Sequence, residues 1–340
     1  MTKEEDPEND RLKLKEGDII AKNYRVISEY QHGVSSNVYR CVNITDKTEV
    51  AIKCFRNSEI SSRHFIKTIS LYKNLQKMKD FHEHFCDFLA WFYFDEHPCI
   101  VAERYGPSLY DVMKFNHFRG WRLETIRQIL TQTIQSLILL RSAGKLHGDI
   151  KLENILIDPN IKVSESDVFL NTDKQQPKYV QVKLIDMETT HNYYTWGRGT
   201  ITTIYYRAPE IILGVPWGRE VDIWSLGCLA LEMCVGKIYF AYTDLSSFLF
   251  AIQHLIGPFP DKMINDCTIP KFKRLFENGI LNPKYINQKH YHEINEKTPL
   301  YRIDIDHDLK DLIMKMLSID PLTRPTLDDL LMHPFLCPPE

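Results

Sequence analysis

The stretch Leu146-His147-Gly148-Asp149-Ile150-Lys151-Leu152-Glu153-Asn154-Ile155-Leu156-Ile157 concentrates side chains that can do chemistry. It offers an imidazole, a carboxylate, an amine and a carboxamide in close order: His147, Asp149, Lys151 and Asn154. Groups of these types move protons and hold hard cations. A loop aims them into one cleft only if its flanks are anchored, and Leu146 and Ile155-Leu156-Ile157 are apolar enough for that. On this stretch alone, a polar surface turn between two strands remains open as the plainer reading.

Other residues stand out more weakly. Lys53 closes the apolar run Val50-Ala51-Ile52, where a lysine is as easily a solvated edge residue as a functional one. Asp186 follows the apolar strand Val180–Ile185. His82, His84 and Cys86 are spaced too tightly for a tetrahedral zinc site, and no second cluster follows, so solvated or packed side chains are expected. The eight cysteines are scattered without close pairs, as reduced intracellular thiols would be. A net charge of −3 announces no nucleic-acid face. No signal peptide and no apolar segment of about eighteen residues is present, so no membrane partner is expected.

The elements that must position these groups follow from pattern. The chain of 340 residues is long for one core, so two lobes sharing a cleft are expected. Residues 1–16 read as a charged, flexible lead-in. From Tyr24, short β-branched and aromatic clusters read as strands, with a turn over Ser28–Val38. Residues 64–78 carry Phe65, Ile69, Leu71, Tyr72 and Leu75 at helical spacing. Strands follow around Cys86–Phe94 and Pro98–Glu103, and Arg104-Tyr105-Gly106 makes a break. Beyond it the chain reads as mostly helical. Leu123–Ala143 is a long helix ended by Gly144, and a polar segment of about 158–178 reads as an inserted surface loop. The expected class is α+β: a β-rich small lobe over 17–103, a hinge at 104–106 and a helical large lobe over 107–336.

Taken in order, Lys53, Asp149, Asn154, Asp186, Glu210, Asp222 and Arg324 resemble the signature set of the eukaryotic protein kinases, across nearly the whole chain. Val50-Ala51-Ile52-Lys53 is similar to the kinase V-A-I-K, His147–Asn154 to the catalytic loop, and Ala208-Pro209-Glu210 to A-P-E. The resemblance implies roles. Asp149 would orient and deprotonate a substrate hydroxyl, and Lys151 would neutralise the transferred phosphoryl group. Asn154 and Asp186 would hold Mg2+. Lys53 would bind ATP phosphates. Gly33, Val38, Ala51, Leu156 and the backbone of Glu103 and Tyr105 would complete the nucleotide site.

Within the kinases the chain resembles the LAMMER (CDC-like) family of the CMGC group. Gly17-Asp18-Ile19-Ile20 looks like that family's start, Gly148 replaces the arginine before the catalytic Asp, and Tyr206–Gly214 is similar to its segment after the activation loop. The name-giving motif is not kept at Leu249–His254. The resemblance implies phosphorylation of Ser/Thr, with Tyr as a further acceptor, on protein substrates of the Arg/Ser-rich kind, by an intracellular, nuclear or cytoplasmic monomer.

There are departures. Gln31 and Ser36 replace two glycines of the phosphate loop, Thr68 stands where a helix Glu would hold Lys53, and Met187-Glu188 replaces Phe-Gly after Asp186. A Glu does not take positive φ cheaply, which bears on that turn. These departures support a second reading, a non-catalytic scaffold that binds nucleotide or partners. Without the arginine at position 148, no phosphorylated activation loop is required. Ala102, at the end of the strand entering the hinge, leaves room behind a purine ring unless a neighbour such as Tyr72 or Met187 fills it.

Overall fold

The computed structural model describes residues 11–32, 36–158 and 180–338, in two compact units, Met1–Gly106 and Pro107–Glu340. The first is built on a six-stranded antiparallel sheet in the order β1-β2-β3-β4-β6-β5. Its strands are β1 (Ile19–Ile20), β2 (Tyr24–His32), β3 (Ser36–Asn43), β4 (Glu49–Phe55), β5 (Phe88–Phe94) and β6 (His97–Glu103). The expected turn over Ser28–Val38 is mostly strand, with register shifts at Val26/Ser28 and Glu29/Gln31. Ser36, which has a Cβ, starts β3 and favours extended pairing where a glycine would have loosened it. Gly33 lies outside the described residues.

The two faces of the sheet differ. One carries Val26, Tyr39, Cys41, Val50, Ile52, Cys54, Cys99 and Val101, all buried, and is closed by Leu12 and Leu14. The Tyr39 hydroxyl donates to the Leu12 carbonyl at 2.8 Å and accepts from the Leu14 amide at 3.3 Å. Residues 11–14, read from sequence as flexible lead-in, are therefore strapped down, because a buried phenol needs partners and the strap supplies them. The other face packs against helix α1 (Glu59–Leu75), where Phe65 meets Phe55 edge-on at 5.7 Å. Helix α1 begins five residues before the sequence pattern indicated. Its first turn buries no large apolar side chain, Ile60 there being exposed, and is started by Ser58, whose hydroxyl accepts from the Ser61 amide at 3.2 Å, while the periodic apolar residues mark only the buried stripe. Helix α2 (Phe81–His84) precedes β5 and holds His82 and His84. Among the described residues no group of three or more His, Cys, Asp or Glu side chains is placed to hold a metal.

The second unit is helical. Helix α3 (Leu109–Phe115) is followed by α4 (Leu123–Ser142), and Gly144, at φ +69°, lies just past its end. Two short ladders follow: β7 (Lys145–Leu146) with β10 (His191–Asn192), and β8 (Ile155–Ile157) with β9 (Val182–Leu184). The inserted polar segment lies almost wholly outside the described residues. After the five-residue α5 (Pro209–Leu213) comes α6 (Glu220–Val235), buried along nearly all its length, and then α7 (Leu245–Leu255). A helix that is apolar all round belongs in a core, and Trp224 of α6 stacks on Phe240 at 6.4 Å to form its aromatic centre. No described helix is long and apolar enough to cross a membrane.

Candidate functional site

The loop 147–154 hangs between the two ladders, which is how its apolar flanks anchor it: Leu146 ends β7 and Ile155 starts β8. Its backbone is fixed from below by Asp222 of α6. One carboxylate oxygen accepts the His147 amide at 2.7 Å and the other accepts the Gly148 amide at 2.8 Å. The imidazole of His147 reaches the Ile185 carbonyl at 2.9 Å, joining the loop to the residue before Asp186. Gly148 holds φ +81°, and a Cβ there would stand 2.8 Å from the Thr189 carbonyl oxygen, so a glycine is needed for both conformation and space.

Asp149, Lys151 and Asn154 converge. The Lys151 ammonium donates to Asp149 Oδ2 at 2.7 Å. The Asn154 amide group donates to the Asp149 carbonyl at 2.8 Å and to Oδ2 at 3.1 Å. Thr203 completes the set: its amide and hydroxyl donate to Asp149 Oδ1 at 2.8 and 2.7 Å, and its hydroxyl accepts from Lys151 at 2.9 Å. Burial raises the pKa of Asp149, but Lys151 and Thr203 outweigh it, and the carboxyl is held below its ordinary value. The group is therefore an ionised acceptor, oriented on both oxygens. Sequence reasoning did not find Thr203, which sits among Thr195, Thr200 and Thr202 with no spacing to single it out.

Asp186 lies at the end of the β9 connection with φ +68°, and Met187–Thr189 form a short 3-10 turn. The left-handed conformation falls on the aspartate, which tolerates it, and not on Glu188, so the concern over Glu188 at this turn does not arise. Asn154, with its amide nitrogen turned to Asp149, has its side-chain oxygen left for a cation. An amide oxygen and a carboxylate are hard donors of the kind Mg2+ takes, so this pair fits that ion.

In the first unit, Val38, Ala51 and Lys53 share one sheet face with Ile100 and Ala102, through the cross-strand pairs Val38–Lys53, Ala51–Ala102 and Lys53–Ile100. Glu103 closes β6, and its carboxylate accepts the Asp87 amide at 3.1 Å. Tyr105 is half-buried, and Leu156, in the other unit, bridges to Ser108. Thr68 is buried on α1 with its hydroxyl unpartnered. Glu59 does not stand in for a helix glutamate, since it is exposed and paired with Arg63. Opposite Ala102 stands Phe88, stacked on Tyr72 at 5.7 Å. The space that alanine leaves at 102 is thus bordered by an aromatic pair, Phe88 as well as the expected Tyr72.

The segment after Asp186 is tied down by the protein's own groups. Gly197 and Trp217 exchange two backbone hydrogen bonds, at 2.7 and 3.1 Å, and the Trp217 indole donates to the Gly199 carbonyl at 2.9 Å. Further on, Glu210 and Arg324 form a bidentate pair at 2.7 and 2.8 Å with neither side chain exposed.

The model of the protein kinase domain family matches residues 24–336. The chain belongs to the protein kinase family. Similar kinases include the serine/threonine-protein kinase AFC1 of Arabidopsis thaliana, 29% identical over 94% of this chain and 72% of that one. The dual specificity protein kinase CLK4 of Homo sapiens is 30% identical over 97% of this chain and 70% of its own. These relatives agree with the LAMMER (CDC-like) resemblance. A kinase domain solved by crystallography superposes with a TM-score of 0.83 at 26% identity, covering 97% of this kinase and 99% of that chain. The α+β kinase fold is thereby established, and nothing in these likenesses favours a non-catalytic scaffold.

Proposed function

We propose that this kinase transfers the γ-phosphate of ATP to serine and threonine, with tyrosine as a further acceptor, on basic, Arg/Ser-rich protein substrates. The observation that carries the reading is the four-residue network of Asp149, Lys151, Asn154 and Thr203. Asp149 faces the substrate hydroxyl, orients it and takes its proton. Lys151, held on Asp149 and Thr203, places a positive charge where the phosphoryl group passes. Asn154 and Asp186 are the residues that would hold Mg2+, and Lys53 is the residue for the α- and β-phosphates. By the kinase resemblance Val38, Ala51 and Leu156 would be the apolar residues for the adenine, the backbone of Glu103 and Tyr105 would bond it, and Gly33, outside the described residues, would belong to the phosphate loop. ATP and Mg2+, when bound, supply the phosphoryl group and neutralise its charge. What the chain supplies is positioning and fixed charge.

The substrate class is supported by two carboxylates near this site. Glu232 of α6 is buried and accepts from the Tyr206 hydroxyl. Burial, together with the charge of Glu153, pushes its pKa up to about 7 against the Tyr206 hydrogen bond. One oxygen of Glu153 is itself buried without a hydrogen-bond partner. Two acids held in each other's field call for a cation, and a guanidinium meets both at once. Eight free cysteines suit a reducing compartment, and we place the kinase inside the cell, in the nucleus or cytoplasm.

The test is transfer of label from radiolabelled ATP, with magnesium, to a serine peptide flanked by arginines and to the same peptide with leucines, using an Asp149→Asn control. Transfer that the control retains, or no preference for the arginine peptide, overturns the respective half of the proposal.

A further inference from the structure

The sheet face that carries Val38, Ala51, Lys53 and Ala102 does not end with those residues. Alternate residues of a strand share a face, so Arg40 continues the row of Val38 and Glu49 that of Ala51 and Lys53. Arg104 lies two residues past Ala102, just beyond the end of β6. The apolar strip therefore meets a charged rim at its Ala51–Ala102 end, the end away from Lys53. Tyr30 joins this rim from β2. Glu29 lies opposite Tyr39 and Gln31 opposite Val38, which leaves Tyr30 as an extra residue with none across from it. A bulge of this kind re-aims a side chain, and bulges gather beside active sites.

The rim is one hydrogen-bonded unit. Arg40 grips Glu49 with two donors, Nη2 to Oε1 at 2.6 Å and Nε to Oε2 at 3.1 Å. Arg104 Nε stands 3.1 Å from the same Oε2 and donates to the Tyr30 hydroxyl at 2.9 Å. The Arg40 hydrogen bonds, with the Arg104 charge beside them, hold the Glu49 carboxyl below its ordinary value. It is thus an ionised anchor for both guanidinium groups. Such a network does little for the fold, because its three charged side chains are about a third exposed. Its effect is orientation. The Tyr30 residue is 49% exposed, and its ring would turn freely without the Arg104 bond.

We propose that Tyr30 binds the base of ATP and ADP, and that Arg104, anchored by Glu49 and Arg40, is the positioning residue that holds its ring in place. This rests on the reading of the Ala51–Ala102 strip as the nucleotide site. A phenol ring offers a flat face on which a purine stacks. A ring already held needs no ordering when the nucleotide arrives, so the bound state is favoured and release is slowed. Arg104 and Tyr30 stand at the opposite end of the strip from Lys53. They therefore govern how long the nucleotide stays and leave the transfer of the phosphoryl group to other residues.

The test follows release of a fluorescent ADP from the full chain by stopped flow, with magnesium and a chase of excess ATP. KM for ATP and kcat are measured alongside on a serine peptide. Tyr30→Phe keeps the ring and removes the acceptor, and Arg104→Met keeps the length and removes the donor. Each is expected to release ADP roughly three- to tenfold faster, the effect of one hydrogen bond, and the double variant no faster than either single. KM for ATP rises by a similar factor while kcat does not fall. The melting temperature without nucleotide stays within about 2 °C of the wild type, as a merely structural network would not predict for so large a change in release. Arg104→Lys, which still donates, recovers most of the slow release, and Tyr30→Leu, without a ring, releases faster than Tyr30→Phe. Additive effects in the double variant, release unchanged in both singles, or a fall in kcat at constant KM overturns the role of Arg104 and leaves the nucleotide site standing. Release from Tyr30→Leu as slow as from the wild type overturns the contact of the ring with the base. The release rates decide these points even where no peptide is phosphorylated. A wild type that binds no ADP overturns the nucleotide reading of the strip, and this proposal with it.

Discussion

Replacing Glu232 by glutamine removes one charge and keeps the shape, including an oxygen that accepts from the Tyr206 hydroxyl. The folded carboxyl has a pKa of about 7 where 4.5 is ordinary, because it is buried beside Glu153. Below pH 4.5 the group is protonated whether the chain is folded or not, and it adds no cost. Between 4.5 and about 7 the folded chain keeps a proton that the unfolded chain has released, so stability falls as pH rises, and above 7 the full cost is carried. At about 1.4 kcal/mol per pH unit, that gap is worth about 3 kcal/mol. Glu232→Gln is therefore expected to match the wild type in stability at pH 4 and to exceed it at pH 8, with a melting temperature higher by several degrees. The same change lowers affinity for an arginine-flanked peptide. KM is expected to rise tenfold or more at pH 8, which corresponds to about 1.4 kcal/mol, with little change for a leucine-flanked peptide. Melting curves from pH 4 to 8 and KM for both peptides check it. A stability difference that does not change with pH, or a KM increase equal for both peptides, refutes the reasoning.

Four further outcomes are expected. Asp149→Asn keeps the melting temperature within a few degrees and lowers phosphate transfer by roughly 10²–10⁴, so unchanged turnover would count against the role given to Asp149. Thr68→Glu puts a carboxylate on the buried face of α1 within the unit that holds Lys53. It raises kcat/KM about tenfold, and flat kinetics in a folded variant would show that position 68 does not serve Lys53. Phe88→Ala removes the aromatic neighbour of Ala102 and admits bulky purine analogues that the wild type binds weakly, measured by calorimetry; equal affinity for the two proteins would show that Phe88 does not guard that space. Arg324→Met leaves Glu210 as an unpaired buried charge and lowers unfolding stability by about 3–5 kcal/mol in denaturant titration, whereas a loss under 1 kcal/mol would contradict the burial of the pair.

Much of this architecture could be read from the sequence because the residues involved have few alternatives. The strand and helix faces follow apolar periodicity, and Lys53, Asp149, Asn154, Asp186, Glu210 and Arg324 keep the order and spacing of a known set. What could not be read has physical causes. Thr203 reaches Asp149 across fifty-four positions of sequence, and no local pattern encodes such a contact. The Leu12 strap depends on a tyrosine hydroxyl twenty-seven residues away, while its own sequence is charged enough to pass for a solvated tail. Helix α1 starts early because its first turn follows a serine cap and its one apolar residue, Ile60, is exposed and lies outside the buried stripe. The left-handed residue after β9 is the aspartate, a matter of backbone geometry that a substitution at Glu188 does not report.

The strap over the sheet also sets an order of events during synthesis. Leu12 leaves the ribosome about ninety residues before Val101, the strand residue that completes the face it covers. At roughly 5–20 residues per second this is an interval of about 5–20 s. Throughout it the apolar hook and the unfinished sheet are both open to other chains. The contact that seals the mature unit is thus among the last it can make, and the nascent chain depends on speed or on chaperones until β6 arrives.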